Sequence, residues 1–434
     1  MTTWTNWSGL EQATPRRTLV PTGTDAVVAA VREARDSGSR VKMTGTGHSF
    51  TGIAAPEEVL LRPEGMRGIL AVDRDAMTVT ALAGTQLKVL NAELARLGLT
   101  LHNMGDIAEQ TLAGATSTGT HGTGGVTAGL AAQIVGLELV TGTGEVLRAD
   151  ATQNPDVLAV ARLGLGALGI LTTLTFAVEP LFLLEASERP AGWDEGVAGF
   201  DELIEANHHC DMYWFPHTDR MLLKTNNRLD ADLSAAEPLG RAREWLDDRF
   251  LSNTVFGALH GVTNRVPAIV PRLNQVTSRM LSARSYSDVA HRVFTTERSV
   301  VFREMEYAVP REAGMRALTE ARKVIEASDW RITFPVEIRY ARPDDVPLST
   351  AFGRETVYLA FHTHHAVDHT AYFREVEAVM RHHDGRPHWG KLHTRTADDL
   401  AAAYPLFGDV TALRDRLDPD RLFTNTYLRR VLGD

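Results

Sequence analysis

The sequence predicts a two-domain α+β fold, with a first domain over residues 1–180 and a second over 181–410. Three observations lead there. A chain of 434 residues exceeds the size at which one hydrophobic core keeps growing. Up to Pro180, short strands, helices and glycine-rich stretches follow one another closely. Beyond Leu181 the character changes to strand-like runs separated by longer helical stretches.

In chain order, Thr22 with Asp25 three residues on has the form of a helix cap, and Val27, Val28, Val31 and Ala34 give an apolar stripe that ends at Gly38. Residues 41–44 form a short strand, so the opening reads β-α-β. Strands follow near 69–72 and 78–82, then a helix from about 87 to 97 that Gly98 stops. A stretch of small residues, 113–125, precedes strands at 134–140 and 146–149. Residues 171–178 alternate Thr with apolar side chains, as a strand does. In the second block the strand-like runs are 212–215, 305–309, 333–340 and 357–362. Residues 230–299, with helical spacing in 241–250 and 272–281, read as a helical insertion without chemistry of its own. No internal repeat is present.

Composition narrows the function. Apolar residues make up 44% and charged residues 23%, a globular composition. No apolar run reaches the roughly 18–20 residues that span a bilayer, since residues 158–178 are broken by Arg162 and several glycines. The first residues lack an export signal and Cys210 has no partner for a disulfide, so a cytoplasmic location is expected. A net charge of −10 argues against nucleic acid. It also implies that any phosphate in a cofactor is bound by backbone N–H groups in glycine-rich turns more than by cations.

Two such turns stand out. Gly45-Thr46-Gly47-His48-Ser49 follows a strand directly, and its glycines let successive N–H groups converge on an anion such as a pyrophosphate. Phe50 occupies the place of the third glycine of a dinucleotide fingerprint, and no stretch ends in Gly-Lys-Ser/Thr, so nicotinamide and P-loop sites are disfavoured. The second run, from Ala113 to Gly125, is almost entirely small or hydroxyl-bearing. It cannot form a core face, but a long flat ligand can lie against it.

These two stretches, together with residues 334–339, 386–391 and 418–427 in the same order, resemble the aldonolactone oxidoreductases. That family includes L-gulonolactone and D-arabinonolactone oxidases and dehydrogenases, with alditol oxidases as relatives, within the vanillyl-alcohol-oxidase-type FAD superfamily. The resemblance implies an FAD-binding domain, a substrate cap on an antiparallel sheet, and a C-terminal segment, 411–434, that returns to the FAD domain. It implies FAD bonded covalently through His48, with Gly45, Thr46, Gly47 and Ser49 around the pyrophosphate. Asp106, Thr111, Gly114, Ser117, Thr118, Gly119 and His121 would line the cofactor, Ile170 would meet its adenine end, and His388 would touch the flavin. Gly105 matches the position that gates oxygen, where a small residue is permissive. The acceptor is then oxygen or another redox partner, and the substrate a sugar lactone or polyol.

Glu337 and Arg339 are two apart on a strand and leave one face together. Oxidation of an alcohol by hydride transfer needs a group for the hydroxyl proton and positive charge for the oxygen and the reduced cofactor. Glu337 suits the first task, Arg339 and Lys391 the second; a structural ion pair is the other reading of Glu337 and Arg339. The histidines at 208–209, 362–365 and 382–383 have no carboxylate or cysteine at ligand spacing in the sequence, so no metal is expected. Outside this class, a metal-dependent hydrolase and a non-catalytic sugar-binding protein remain as readings.

Overall fold

A computed structural model describes residues 3–124, 129–240, 267–296 and 300–434. The helix Thr24–Asp36 buries Val27, Ala30, Val31 and Ala34, the 3.6-residue stripe expected of it, and starts one residue later than the Thr22 cap implies, with Gly23 at the N-cap and no side-chain cap bond. It lies between the strands Arg17–Leu19 and Val41–Met43. Both run parallel to Val59–Leu61, which sits between them in a three-stranded sheet. Val59–Leu61 is three residues long and wholly buried, so it carries no alternation by which sequence could announce it. A second, five-stranded antiparallel sheet runs in the order Val146–Asp150, Ile134–Val140, Ile170–Ala177, Thr78–Leu82, Ile69–Asp73.

From Leu183 onward the chain builds an eight-stranded sheet in the order Arg284–Val289, Leu183–Gly192, Arg220–Leu229, His209–Trp214, Val336–Ala341, Thr356–His364, Phe302–Pro310, Arg386–Pro387. Every pairing is antiparallel. Because side chains alternate along a strand, the sheet has two unlike faces. Met212, Trp214, Leu223, Met305, Tyr307, Ile338, Leu359 and Phe361 point to one and form an apolar core. The helices Arg311–Glu326 and Thr370–His382 cover it with Leu318, Ile325, Val376 and Met380. The other face carries Asp211, Glu304, Glu306, Glu337 and His362, all buried, with Arg339 among them. Buried charge costs several kcal/mol per ion unless paired, so a sheet face this polar is not there for stability.

The last segment lies against the first. Val41 N donates to Leu422 O at 3.0 Å, and Asn425 Nδ2 donates to the carbonyls of Gly52, Ile53 and Ala55 at 2.9–3.1 Å. Leu422 and Phe423 join the core beneath Thr24–Asp36. Of the helical spacing expected in the insertion, the helix Val270–Arg279 is seen and residues 241–250 lie outside the described ones, but the stretch is not wholly helical, since Arg284–Val289 pairs with Leu183–Gly192 as the edge strand of the large sheet.

Candidate active site

Two cavities meet at His48. The first is lined by Gly45, Thr46, Gly47, His48 and Ser49, by Thr111, Gly114, Ser117 and Thr118, and by Ile170. The first loop is shaped for backbone contact: Gly47 has φ 74°, and an added Cβ on Gly45 would collide with Thr111 Oγ1. The small-residue run is in part a short helix, Leu112–Ser117, rather than a loop. Thr111 caps it by accepting from Gly114 N, and Leu112 N and Ala113 N donate to Thr85 O and Ala83 O. Its small side chains leave the room a flat ligand needs.

The glycine-rich walls do most of what an acidic chain requires, yet one cation is present that the sequence did not announce. Lys42 lines the same cavity, and burial pulls its ammonium down to about 7. It donates to Gly166 O at 3.1 Å and Phe423 O at 2.9 Å, tying the cavity wall to the C-terminal segment.

The second cavity is lined by His48, Ser49, Gly105, Asp106, Thr118, His121, Arg339, His388 and Lys391. The strand Phe302–Pro310 and the chain after Arg386 bring these together. His388 N donates to Glu306 O at 3.0 Å and Leu392 N to Glu304 O at 2.9 Å, which sets His388 and Lys391 beside two buried carboxylates. Lys391 Nζ is bonded to Glu304 and lies 5.0 Å from the Phe50 ring centre. His121 meets Glu306 through Nε2 at 2.5 Å and stacks on Tyr358 at 3.6 Å. Burial pushes the Glu306 carboxyl up, but His121, His388 and Lys391 outweigh it and hold it well below the usual range. Burial likewise lowers His388 to about 4, and its Nδ1 accepts from Gly390 N.

Arg339 Nε donates to Asp211 at 3.0 Å and Nη2 to Glu337 at 2.7 Å. Glu337 therefore stands beside Arg339 on the expected face, but it lines neither cavity; Arg339 reaches the site and Glu337 holds it. Gly119 also lies off both cavities, with φ 78° and its Cα turned toward Leu163 and Trp389. His48 stacks on Trp7, ring centres 5.8 Å apart, and Trp7 N donates to Gly47 O at 2.8 Å. Burial lowers the His48 pKa, Lys391 lowers it further and Glu109 opposes both.

Glu304, Glu306, Asp211 and Trp7 were not picked out from the sequence. The two glutamates had one usable signal, since Glu304 and Glu306 interrupt an apolar strand at alternate positions. The histidine pair 382–383 does have a carboxylate in three dimensions: Glu320, from a neighbouring helix, accepts from His383 Nε2 at 2.8 Å, and with His382 it forms the one potential metal-ligand cluster among the described residues. This group lies near the surface and away from both cavities. Cys210 is buried, and burial pushes its thiol up. Among the described residues no helix is long and apolar enough to cross a membrane.

The cradle of glycines, the long cavity with small-residue walls and a histidine at its end fit FAD. Comparison with known proteins agrees. Residues 15–150 match an FAD binding domain, and residues 174–431 match the D-arabinono-1,4-lactone oxidase family. The chain is 39% identical over 430 residues to L-gulono-1,4-lactone dehydrogenase from Mycobacterium tuberculosis, covering 99% of each. It is 30% identical to L-gulonolactone oxidase from Bos taurus, covering 98% of this chain and 97% of that one, and 31% identical to alditol oxidase from a Streptomyces species, covering 99% and 98%. Among solved structures, cholesterol oxidase from B. sterolicum superposes with a TM-score of 0.83 at 18% identity, over 99% of this chain and 96% of that one, which shows the vanillyl-alcohol-oxidase-type fold. The chain belongs to the D-arabinono-1,4-lactone oxidase family, as an FAD-dependent oxidoreductase.

Proposed function

We propose that this protein oxidises a secondary alcohol of an aldono-1,4-lactone, with FAD bonded to His48. The observation that carries the reading is the place of His48, at the meeting of the glycine-lined cavity with the one that holds Arg339 and Lys391. Bound FAD supplies the hydride acceptor; the protein supplies binding, orientation and charge. Gly45, Thr46, Gly47 and Ser49 hold its pyrophosphate, and Asp106, Thr111, Gly114, Ser117, Thr118, His121, Ile170 and His388 line its path, with Gly119 shaping the turn behind them. Arg339 and Lys391 stabilise negative charge on the substrate oxygen, and Glu337 acts through Arg339, whose guanidinium it holds toward the site. The domain limits at 180 and 410 and a cytoplasmic location go with this reading.

Anaerobic mixing with L-gulono-1,4-lactone or D-arabinono-1,4-lactone is expected to bleach the flavin, and acid precipitation to leave the yellow colour with the protein. Bleaching by alditols alone would favour the polyol reading, to which the 31% identity to an alditol oxidase lends support. Bleaching by neither, in a protein that holds FAD, would refute both.

Two further expectations arise here. Lys391→Met removes a cation beside the site and leaves Glu304 with His362, 3.5 Å away, as its remaining partner. Both changes disfavour added negative charge, so redox titration is expected to show the flavin potential lower by tens of millivolts, where about 30 mV is 1.4 kcal/mol for a two-electron couple. An unchanged potential would put Lys391 outside the site. A Cβ on Gly105 would lie 3.0 Å from His121 O and 3.1 Å from Thr120 Cγ2, against the wall of the second cavity. Glycine is the residue that fits this close contact, and a small residue at the position it matches in the family favours oxygen as acceptor. Gly105→Ala is expected to slow reoxidation by oxygen by about tenfold or more with little change in reduction; equal reoxidation rates would point to a different redox partner.

A further inference from the structure

Arg339 and Asp106 line a third cavity as well, whose other walls include Asp211, Lys224 and Asn226 from the cap sheet and Phe294. Lys224, Asp211 and Arg339 stand opposite one another on three neighbouring strands, so cation, carboxylate and cation follow in turn along one wall. An anion entering here would meet Asp211, and a cation would meet Lys224 and Arg339. An uncharged ligand rich in hydroxyls can use all three.

Asn226 gives the sharper indication. It is 2% exposed, and among the described residues its Oδ1 has no hydrogen-bond partner. A buried acceptor is rarely left so. Its cross-strand neighbour His209 supplies no donor: burial lowers that imidazole to about 3, its Nδ1 donates to Thr123 O, and its Nε2 is then a bare acceptor that is also unpartnered. Among the described residues no donor serves Asn226, which leaves its Oδ1 for a ligand in this cavity.

We propose that this cavity is the subsite for the hydroxyl-bearing side chain of the sugar-derived substrate, with Asn226 accepting from one hydroxyl and Lys224 donating to its neighbour. Arg339, common to both cavities, then joins this subsite to the reacting carbon. The proposal rests on the lactone reading above and names what selects among lactones.

The test is anaerobic stopped-flow reduction of the holoenzyme by two 1,4-lactones, L-gulono-1,4-lactone with its two-carbon dihydroxylated side chain and a four-carbon lactone with none. The wild type is expected to favour the first at least about tenfold in the second-order rate of reduction, and Asn226→Ala and Lys224→Met each to cut that preference about tenfold, the scale of one lost hydrogen bond. Equal rates for the two lactones in the wild type would overturn the subsite without recourse to any variant. Variants that slow both lactones by the same factor would overturn it too, giving Asn226 and Lys224 to the fold and the third cavity to water. A wild-type flavin that neither lactone bleaches would remove the lactone reading itself, and the subsite with it.

Discussion

Arg339→Ala is expected to slow anaerobic flavin reduction by about two or more orders of magnitude, the usual scale for a lost charge-stabilising group. Arg339 is the cation common to the second and third cavities, and it is held by two carboxylates, Asp211 at 3.0 Å and Glu337 at 2.7 Å. The same change leaves those carboxylates buried without their guanidinium, and removing one partner of a buried pair costs about 3–5 kcal/mol. Rates must therefore be taken per bound flavin, so that unfolded protein does not count as slow protein. Arg339→Lys keeps a charge but loses the planar fork that reaches both carboxylates at once, and it should recover only part of the rate. Glu337→Gln tests the partner. It is expected to slow reduction by about two orders as well, through the guanidinium it steadies. Near-normal reduction in both Arg339→Ala and Glu337→Gln would leave the pair as a structural ion pair.

His48→Ala is expected to abolish covalent attachment, leaving any FAD extractable by denaturation. A neutral imidazole nitrogen is the nucleophile that attachment requires, and burial together with Lys391 keeps His48 neutral to lower pH than an ordinary histidine. The pH dependence has a definite sign. Above the ordinary histidine value near 6.5 the ring is already neutral, so the rate at which apo-protein takes up FAD covalently should not change; it should fall only as pH drops through the lowered value. A rate that still climbed between pH 6.5 and 8 would mean that attachment waits on another group. Flavin that stayed covalent in His48→Ala would place the link elsewhere.

The glycine-rich stretches that line the first cavity were legible because their chemistry is local. Gly45–Ser49 is a turn set by its own glycines after a strand, and a turn of that kind keeps its meaning in one dimension. The Thr24–Asp36 helix and the strands at Thr78–Leu82 and Ile134–Val140 were readable for the same reason, since hydrophobic period survives any tertiary arrangement. Glu337 and Arg339 were legible as neighbours on one face, because alternation along a strand fixes that much.

Which of the two reaches the cavity was a different matter. It was settled by the adjoining strand, where Asp211 pairs in register with Arg339, and no residue near 337 in sequence encodes that. Glu304 and Glu306 became site residues only when the chain after Arg386 was laid against their strand, setting Lys391 and His388 beside them. Trp7 acquired its place by stacking on His48, and Glu320 by the packing of its helix beside His383. The sequence by itself determined many of the elements and the glycine-rich turns of the site, since these follow from local period and local backbone freedom, while the cofactor class came from the order of motifs that carries the family resemblance. Tertiary structure alone decided which charges are neutralised, by whom, and which line the cavities, because pairing across strands depends on register between segments more than a hundred residues apart, as between Asp211 and Arg339.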